Sequence, residues 1–350
     1  MSEIQFYRPT GKSVWYGKDL AKSTEWTYQF TSAALAEIDR NLTEVKKRGA
    51  KIEEITKADF PLTAMAEDMK ALIQEVAKGR GFVVMRGLPR DKYSDEDLGL
   101  IYWGVGAHFG RPIIQSHQGD RLGHIMDLSD EEPDPTRRRA YHSGGPQHTH
   151  TDASDIVSML SLQAAKTGGC SRLASAHTVH NVMMDTCPGL LRQMYEGFLL
   201  REPDSDAAAA QRPPLSPYRV PAYTVQGDLL DCYYVGGFVD RGVRAGDFTL
   251  TPVEQAAKDA FAAISNHPDI YLDMHLAPGD MQFFNNRSVL HGREAFEDFP
   301  EKERRRHLLR LWLKVPEWKP IDARQGRYSS DELTRNWEAS AQKHRAAAAE

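Results

Sequence analysis

The stretch that most constrains this 350-residue chain is a nearly unbroken apolar string from Ile156 to Ala165. It is closed by Gly168-Gly169 and opened by the polar segment His148-Thr149-His150-Thr151-Asp152. A run this short, with no 3.6-residue stripe, reads as a buried strand and not as an amphipathic helix. In extended chain, residues two apart point to the same side. His150 and Asp152 therefore present an imidazole and a carboxylate together beside a buried sheet, two of the three protein ligands that an open metal site needs. His148 does not join them easily, because each two-residue step of a strand spans roughly 6.5–7 Å.

A His-x-Asp triplet is weak evidence alone in a chain with 13 His. A second one, His267-Pro268-Asp269, lies between a helical stretch and an apolar strand, and its central proline makes it a turn. A third ligand must come from elsewhere.

Composition narrows the class. With 41% apolar and 27% charged residues, the chain has the make-up of an ordinary globular enzyme. A formal charge of −5 argues against a nucleic-acid partner, which would call for a basic face. Cys170, Cys187 and Cys232 are too widely spaced for a disulfide framework or a zinc ribbon. The opening MSEIQFYRPTG lacks the apolar core of a signal peptide, and no run reaches membrane-spanning length. A cytoplasmic protein with no membrane partner is expected.

Along the chain, an aromatic-rich arm leads to a helix capped by Thr31 or Ser32 and ending near Lys47. A second helix is expected from Pro61 to Lys78, a strand at 81–87, and a third helix from Ser94 to Phe109. Strand, turn and strand follow over 113–127. Residues 129–145 form a long polar loop directly before the candidate site, a position suited to a lid. The segment 177–200 reads as helical around Pro188-Gly189, 202–221 as irregular, and 222–238 as strands. Thr251-Pro252-Val253-Glu254 is a capping box with proline at the first helical position. Short strands are expected at 270–276, 281–284 and 307–314. The expected organisation is an arm and helix (1–60) packed on one domain (61–322), with a polar tail (323–350).

The last strand carries Leu309, Leu311 and Leu313 on one face and Arg306, Leu308, Arg310 and Trp312 on the other. Two guanidinium groups on one strand face must meet acidic partners or bind an anion, because a desolvated charge has to be compensated.

His150-Thr151-Asp152, the buried strand, Gly168-Gly169-Cys170-Ser171, then Asn286-Arg287-Ser288-Val289-Leu290-His291-Gly292-Arg293, then Arg306 and Arg310, occur in one order along the chain. In this order they resemble the taurine dioxygenase (TauD/TfdA) family of Fe(II)- and 2-oxoglutarate-dependent dioxygenases. The resemblance implies an α+β fold, a double-stranded β-helix (jelly roll, cupin-like) core with flanking α-helices, which agrees with the short strands. By position it implies His150, Asp152 and His291 as iron ligands. Arg306 would pair with the distal carboxylate of 2-oxoglutarate, with Ser171 serving the same carboxylate where the family often has threonine, and Arg310 would face the substrate. Cys170 departs from an aspartate frequent in the Gly-Gly motif, the interval from His291 to Arg306 is longer than in short members, and Arg304 and Arg305 leave the arginine register open by a residue or two.

The implied cofactors are Fe(II), 2-oxoglutarate and O2, and the implied reaction is oxidation, hydroxylation first, of a C–H bond in a small molecule. Whether that molecule is anionic, and whether the chain self-associates, stay open. The carboxylate at Asp152 disfavours halogenation, since family halogenases lack it. Two alternatives also stay open: a catalytically silent jelly-roll binding protein, and a cupin-type metalloenzyme that uses no keto acid.

Overall fold

The computed structural model describes residues 6–116, 118–130, 143–210 and 212–328. Most of the expected lid, including the Arg137 to Arg139 run, and the tail beyond Tyr328 lie outside the described residues.

Local chemistry sets the helices. The Thr31 hydroxyl accepts from the Ala34 amide and caps the helix Ser32–Lys47, while Ser94 accepts from Asp97 and caps Asp95–Phe109. Thr251 and Glu254 form both halves of the capping box of Pro252–Ser265. The helix expected from Pro61 begins at Ala66 instead, after a 3-10 turn over Thr63–Met65. The buried Glu37 carboxylate accepts from the Ala64 amide (2.7 Å) and the Thr63 hydroxyl, and so fixes that turn first.

Two sheets form the body. The larger has seven strands, in the order Thr27–Gln29, Phe82–Arg86, Met281–Asn285, Ile156–Gln163, His307–Lys314 and Arg111–Ile113, with Leu122–Ile125 also on His307–Lys314. The smaller has four, Tyr271–Met274, Ser171–Ser175, Val289–Arg293 and Gln147–His150. All these pairings are antiparallel except that of Thr27–Gln29 with Phe82–Arg86. The N-terminal arm thus supplies an edge strand.

Alternation along each strand sorts the core into layers. Leu309, Leu311 and Leu313 meet Met281, Phe283 and the helices Ser32–Lys47, Ala66–Lys78 and Asp95–Phe109 outside the larger sheet. Leu308 and Trp312, on the opposite face, pack with Phe82, Val84 and Val157 against Leu173, Leu272, Met274 and Val289 of the smaller sheet. Ala174 and Leu290 turn outward under Ala176–Thr186, Pro188–Glu196 and Pro252–Ser265. Two antiparallel sheets closed on a shared apolar layer, with helices outside, make the expected jelly roll.

Two further expectations are corrected. The segment 202–221, read as irregular, holds a short helix, Asp204–Ala209. Residues 222–238 do give a hairpin, Tyr223–Gln226 with Leu229–Cys232, but Gly236 opens a helix that runs to Ala245. Its buried positions, Val239 and Gly242, are three apart, a helical interval and not the two of a strand. A Cβ at Gly242 would lie 2.2 Å from the Phe248 ring, so glycine is what lets this turn of helix close on it.

Candidate metal centre

His150 ends its strand and lies directly opposite His291 on the neighbouring strand. Their rings are 4.2 Å apart between centroids. The two strands approach so closely past Gly292 that a Cβ there would sit 2.6 Å from the Gln147 carbonyl oxygen. That contact is the physical reason for glycine in His291-Gly292-Arg293. Asp152 lies beyond the strand end, so its placement does not rest on strand parity. The Asn286 side chain accepts from the Asp152 amide (2.8 Å) and donates to the Asp152 and Ser154 carbonyls. Thr151, between the two candidate ligands, is fixed by reciprocal bonds with the backbone of Tyr234.

The outcome is a compact triad. Asp152 Oδ1 is 3.8 Å from His150 Nε2, and Oδ2 is 3.6 Å from His291 Nε2. One ligand atom from each of the three residues lies within 4.8 Å of the others, and no second group of this kind occurs among the described residues. His150 Nδ1 is 2.8 Å from the His148 carbonyl. A carbonyl can only accept, so Nδ1 carries the proton and Nε2 keeps its lone pair toward Asp152. This is the tautomer a metal-binding imidazole requires. His148 contributes its backbone, as strand spacing predicts, and not its ring.

The electrostatics suit a cation. Burial, then repulsion from His291, brings the His150 imidazole down to about 4, so it is neutral at ordinary pH. Burial alone would raise the Asp152 carboxyl, but Arg310 and the two imidazoles together outweigh it and hold it well below the usual carboxylate range. The Trp312 indole donates to Asp152 Oδ2 at 2.8 Å, and Arg310 Nη1 lies 3.4 Å from the same oxygen.

The triad stands in the wall of a cleft of about 550 Å³, which is also lined by Gln115, Met159, Tyr234, Phe238 and Arg310. Gln115 accepts from Arg310 Nε (2.7 Å) and donates to the Arg310 carbonyl (2.9 Å), so the guanidinium is fixed at the cleft end beside Asp152. Just before the strand His307–Lys314, the buried Arg306 passes beside Gly169, whose φ of +75 and missing Cβ leave room for it. Burial, then the neighbouring Arg293, pushes the Arg306 guanidinium down to about 9. Arg306 Nη1 is buried and has no hydrogen-bond partner among the described residues. Ser171 bonds to Gln282 Oε1 at 2.9 Å and lies opposite Arg293 in the sheet.

The discounted residues stay away. Asp269 pairs with Lys18 at 2.8 Å. His177 bonds to Ser13 and the Leu230 carbonyl, and His180 to Tyr195. The residues that sequence reasoning missed are Gln115, Asn286 and Trp312 in their roles as supports. Trp312 was legible by its strand face and Asn286 by its place in the motif, whereas nothing local marks Gln115.

The profile of the taurine catabolism dioxygenase TauD, TfdA family matches residues 44–312. The chain belongs to this family. It is therefore an Fe(II)- and 2-oxoglutarate-dependent dioxygenase, with O2 as its second cosubstrate. The FR-33289 synthase of Streptomyces rubellomurinus is 29% identical over 320 residues, which cover 90% of this chain and 93% of that protein. Among solved structures, asparagine oxygenase in complex with Fe(II), 2S,3S-3-hydroxyasparagine and succinate superposes with a TM-score of 0.65 at 13% identity, over 83% of this chain and 94% of that one. The non-heme iron oxygenase OrfP in complex with Fe and α-ketoglutaric acid gives 0.61 at 15%, over 88% and 99%. At such identities the likeness is one of fold. Among the described residues of this TauD/TfdA-family dioxygenase, no helix is long and apolar enough to cross a membrane.

Proposed function

We propose that His150, Asp152 and His291 hold the iron of this dioxygenase, that Arg306 and Ser171 receive the distal carboxylate of 2-oxoglutarate, and that Arg310 meets an anionic group of a small substrate. The observation that carries the reading is the triad itself: two imidazoles and one carboxylate converge from two strands and a turn, with the His150 lone pair already aimed inward. The donor set suits non-haem Fe(II), for which two His and one carboxylate leave three positions open. The buried, partnerless Nη1 of Arg306 suits a carboxylate, because an unsatisfied buried cation is costly until an anion reaches it.

Iron, 2-oxoglutarate and O2 together supply the oxidising power, with succinate and CO2 as products. The protein's own residues do the rest. Asn286 and Trp312 fix the Asp152 carboxylate at both its backbone and its Oδ2. The His148 carbonyl keeps the His150 tautomer. Gln115 sets the direction of Arg310, and the apolar layer between the sheets keeps water from the reacting atoms. A cleft of about 550 Å³ is of the size that takes small molecules. The outer wall carries both signs, with Lys258 paired to Asp240 at 2.8 Å, so the anionic preference rests on Arg310. That asparagine oxygenase holds a hydroxylated amino acid with succinate favours hydroxylation as the outcome here.

The test is direct. Anaerobic protein given Fe(II) and 2-oxoglutarate develops a weak visible charge-transfer band, and a panel of small carboxylates, sulfonates and phosphonates is then screened for stimulated succinate formation. A protein that binds Fe(II) with no band, or that makes no succinate with any member of the panel while neutral analogues do stimulate it, removes the cosubstrate or the anion part of the reading respectively.

A further inference from the structure

Arg293 closes the His291-Gly292-Arg293 motif, yet neither the metal triad nor the substrate cleft uses it. Its place in the fold is specific. Two residues beyond His291 on one strand, it shares the inward face with that imidazole and lies opposite Ser171 on the next strand. Its guanidinium carbon is 4.6 Å from the centre of the Phe296 ring, and that of Arg306 is 5.1 Å from the same ring. The two cations therefore share one aromatic platform, and both residues are only 5% exposed.

Two like charges buried together are unfavourable unless something negative lies between them. Asp127 and Asp298 act on Arg293 through space, and Asp298 on Arg306, but among the described residues neither carboxylate hydrogen-bonds to either guanidinium. Arg293 spends Nη2 on the carbonyls of Ser143 (2.6 Å) and Gly145, and its Nε and Nη1 are buried with no partner. Arg306 makes one long bond, Nη2 to the Gly169 carbonyl at 3.4 Å, and its Nη1 has no partner. Asp298 accepts from the Arg306 backbone at 2.7 Å, and its other oxygen is also without a partner. Three guanidinium nitrogens from two side chains that share the Phe296 ring are thus buried without a hydrogen-bond partner, and Arg293 lies opposite Ser171.

We propose that Arg293 is a second clamp on the distal carboxylate of 2-oxoglutarate, acting beside Arg306. The proposal rests on the reading of Arg306 given above and extends it to a residue with a double task. The same guanidinium that receives the carboxylate through Nε and Nη1 holds Ser143 and Gly145 through Nη2. Those two residues lead into the strand Gln147–His150. The end of the cosubstrate far from the metal is thereby tied to the segment that delivers His150. A lysine, with one nitrogen on a flexible stem, cannot make both sets of contacts.

The experiment compares two keto acids on Fe(II)-loaded protein under anaerobic conditions: 2-oxoglutarate, and 2-oxopentanoate, which keeps the chelating end and lacks the distal carboxylate. Affinities come from the charge-transfer band and from calorimetric titration, not from turnover. Wild type prefers 2-oxoglutarate, and Arg293→Met and Arg293→Lys each reduce that preference at least tenfold while binding 2-oxopentanoate as wild type does. Arg306→Met reduces it as well. If Arg306→Met lowers the preference and both Arg293 variants leave it intact, Arg293 is only a latch for the 143–145 segment and the proposal is overturned. It is overturned equally if the Arg293 variants weaken both keto acids to the same degree. If no variant changes the preference, the assignment of the cosubstrate end itself is wrong. Should Arg293→Met fail to fold, Arg293→Lys, which keeps the charge and most of the length, gives the same ratio.

Discussion

The indole N–H of Trp312 donates to Oδ2 of Asp152 across 2.8 Å, so a residue of the larger sheet orients a carboxylate that stands beside the smaller one. Metal-binding carboxylates are commonly held in this way, and loss of such a support costs 10–100-fold in metal affinity or activity. Trp312→Phe keeps the apolar packing and removes the donor. Fe(II) titration of this variant is expected to show affinity weakened by about that factor, with the melting temperature little changed. Wild-type affinity would mean that Asn286 alone positions the carboxylate.

His150→Ala, Asp152→Ala and His291→Ala are each expected to lose Fe(II) and abolish turnover. His267→Ala and Asp269→Ala leave both intact, since Asp269 is occupied with Lys18 at the surface. The check is metal content after anaerobic loading and desalting. Full iron occupancy in the His291 variant would end the three-ligand assignment.

Arg310→Met removes a charge held between Gln115 and Asp152. Iron and 2-oxoglutarate binding should survive, while stimulation of succinate formation by an anionic substrate falls by about one to two orders of magnitude, the loss of a charge-assisted bond of roughly 1.5–3 kcal/mol. A variant that instead loses 2-oxoglutarate binding would place Arg310 in the cosubstrate site.

Acid sensitivity follows from two histidines outside the triad, the buried His180 and the half-buried His307. Burial lowers His180 to about 4, and burial, then His124, lowers His307 to about 4. Their ordinary value is 6.5, so between these limits the unfolded chain binds more protons than the folded one. Stability therefore falls as pH drops through that window, with a slope of at most about 1.4 kcal/mol per pH unit for His180 and less for the half-buried His307, which solvent screens. Urea unfolding at pH 7, 5.5 and 4.5 should show the decline, and His180→Asn should flatten part of it. An unchanged slope in that variant would mean that other groups control the acid limb.

The parts of this molecule legible in sequence were those with a local cause. Thr31, Ser94 and the Thr251–Glu254 box announced their helices because a capping side chain acts within one turn. The two faces of His307–Lys314 were readable because alternation is a property of any strand. The His150/His291 pairing was recoverable only through the order of motifs, since nothing near His150 indicates which distant strand will lie beside it. Asp152 reached the site by a route that strand parity did not foresee, a turn held by Asn286. Gln115 and the paired guanidiniums of Arg293 and Arg306 were illegible for the same reason: each acquires meaning only from a partner brought in by tertiary packing. The helix Gly236–Ala245 was hidden because two glycines at its start suppress the helical signal.

The strand Ile156–Gln163 lies between Met281–Asn285 and His307–Lys314, partners more than a hundred residues later in the chain. On a ribosome, the segment bearing His150 and Asp152 is made long before anything exists for it to pair with. Closing loops of that length is entropically slow, and the exposed apolar strand is prone to wrong partners in the meantime. His150 and Asp152 thus wait through the synthesis of the middle of the chain before His291 is made to lie beside them. If these three residues hold the iron as proposed, the metal site is complete only late in synthesis, and yields of active protein should respond to the speed of translation and to chaperone supply more than to the metal present while the first half is being made.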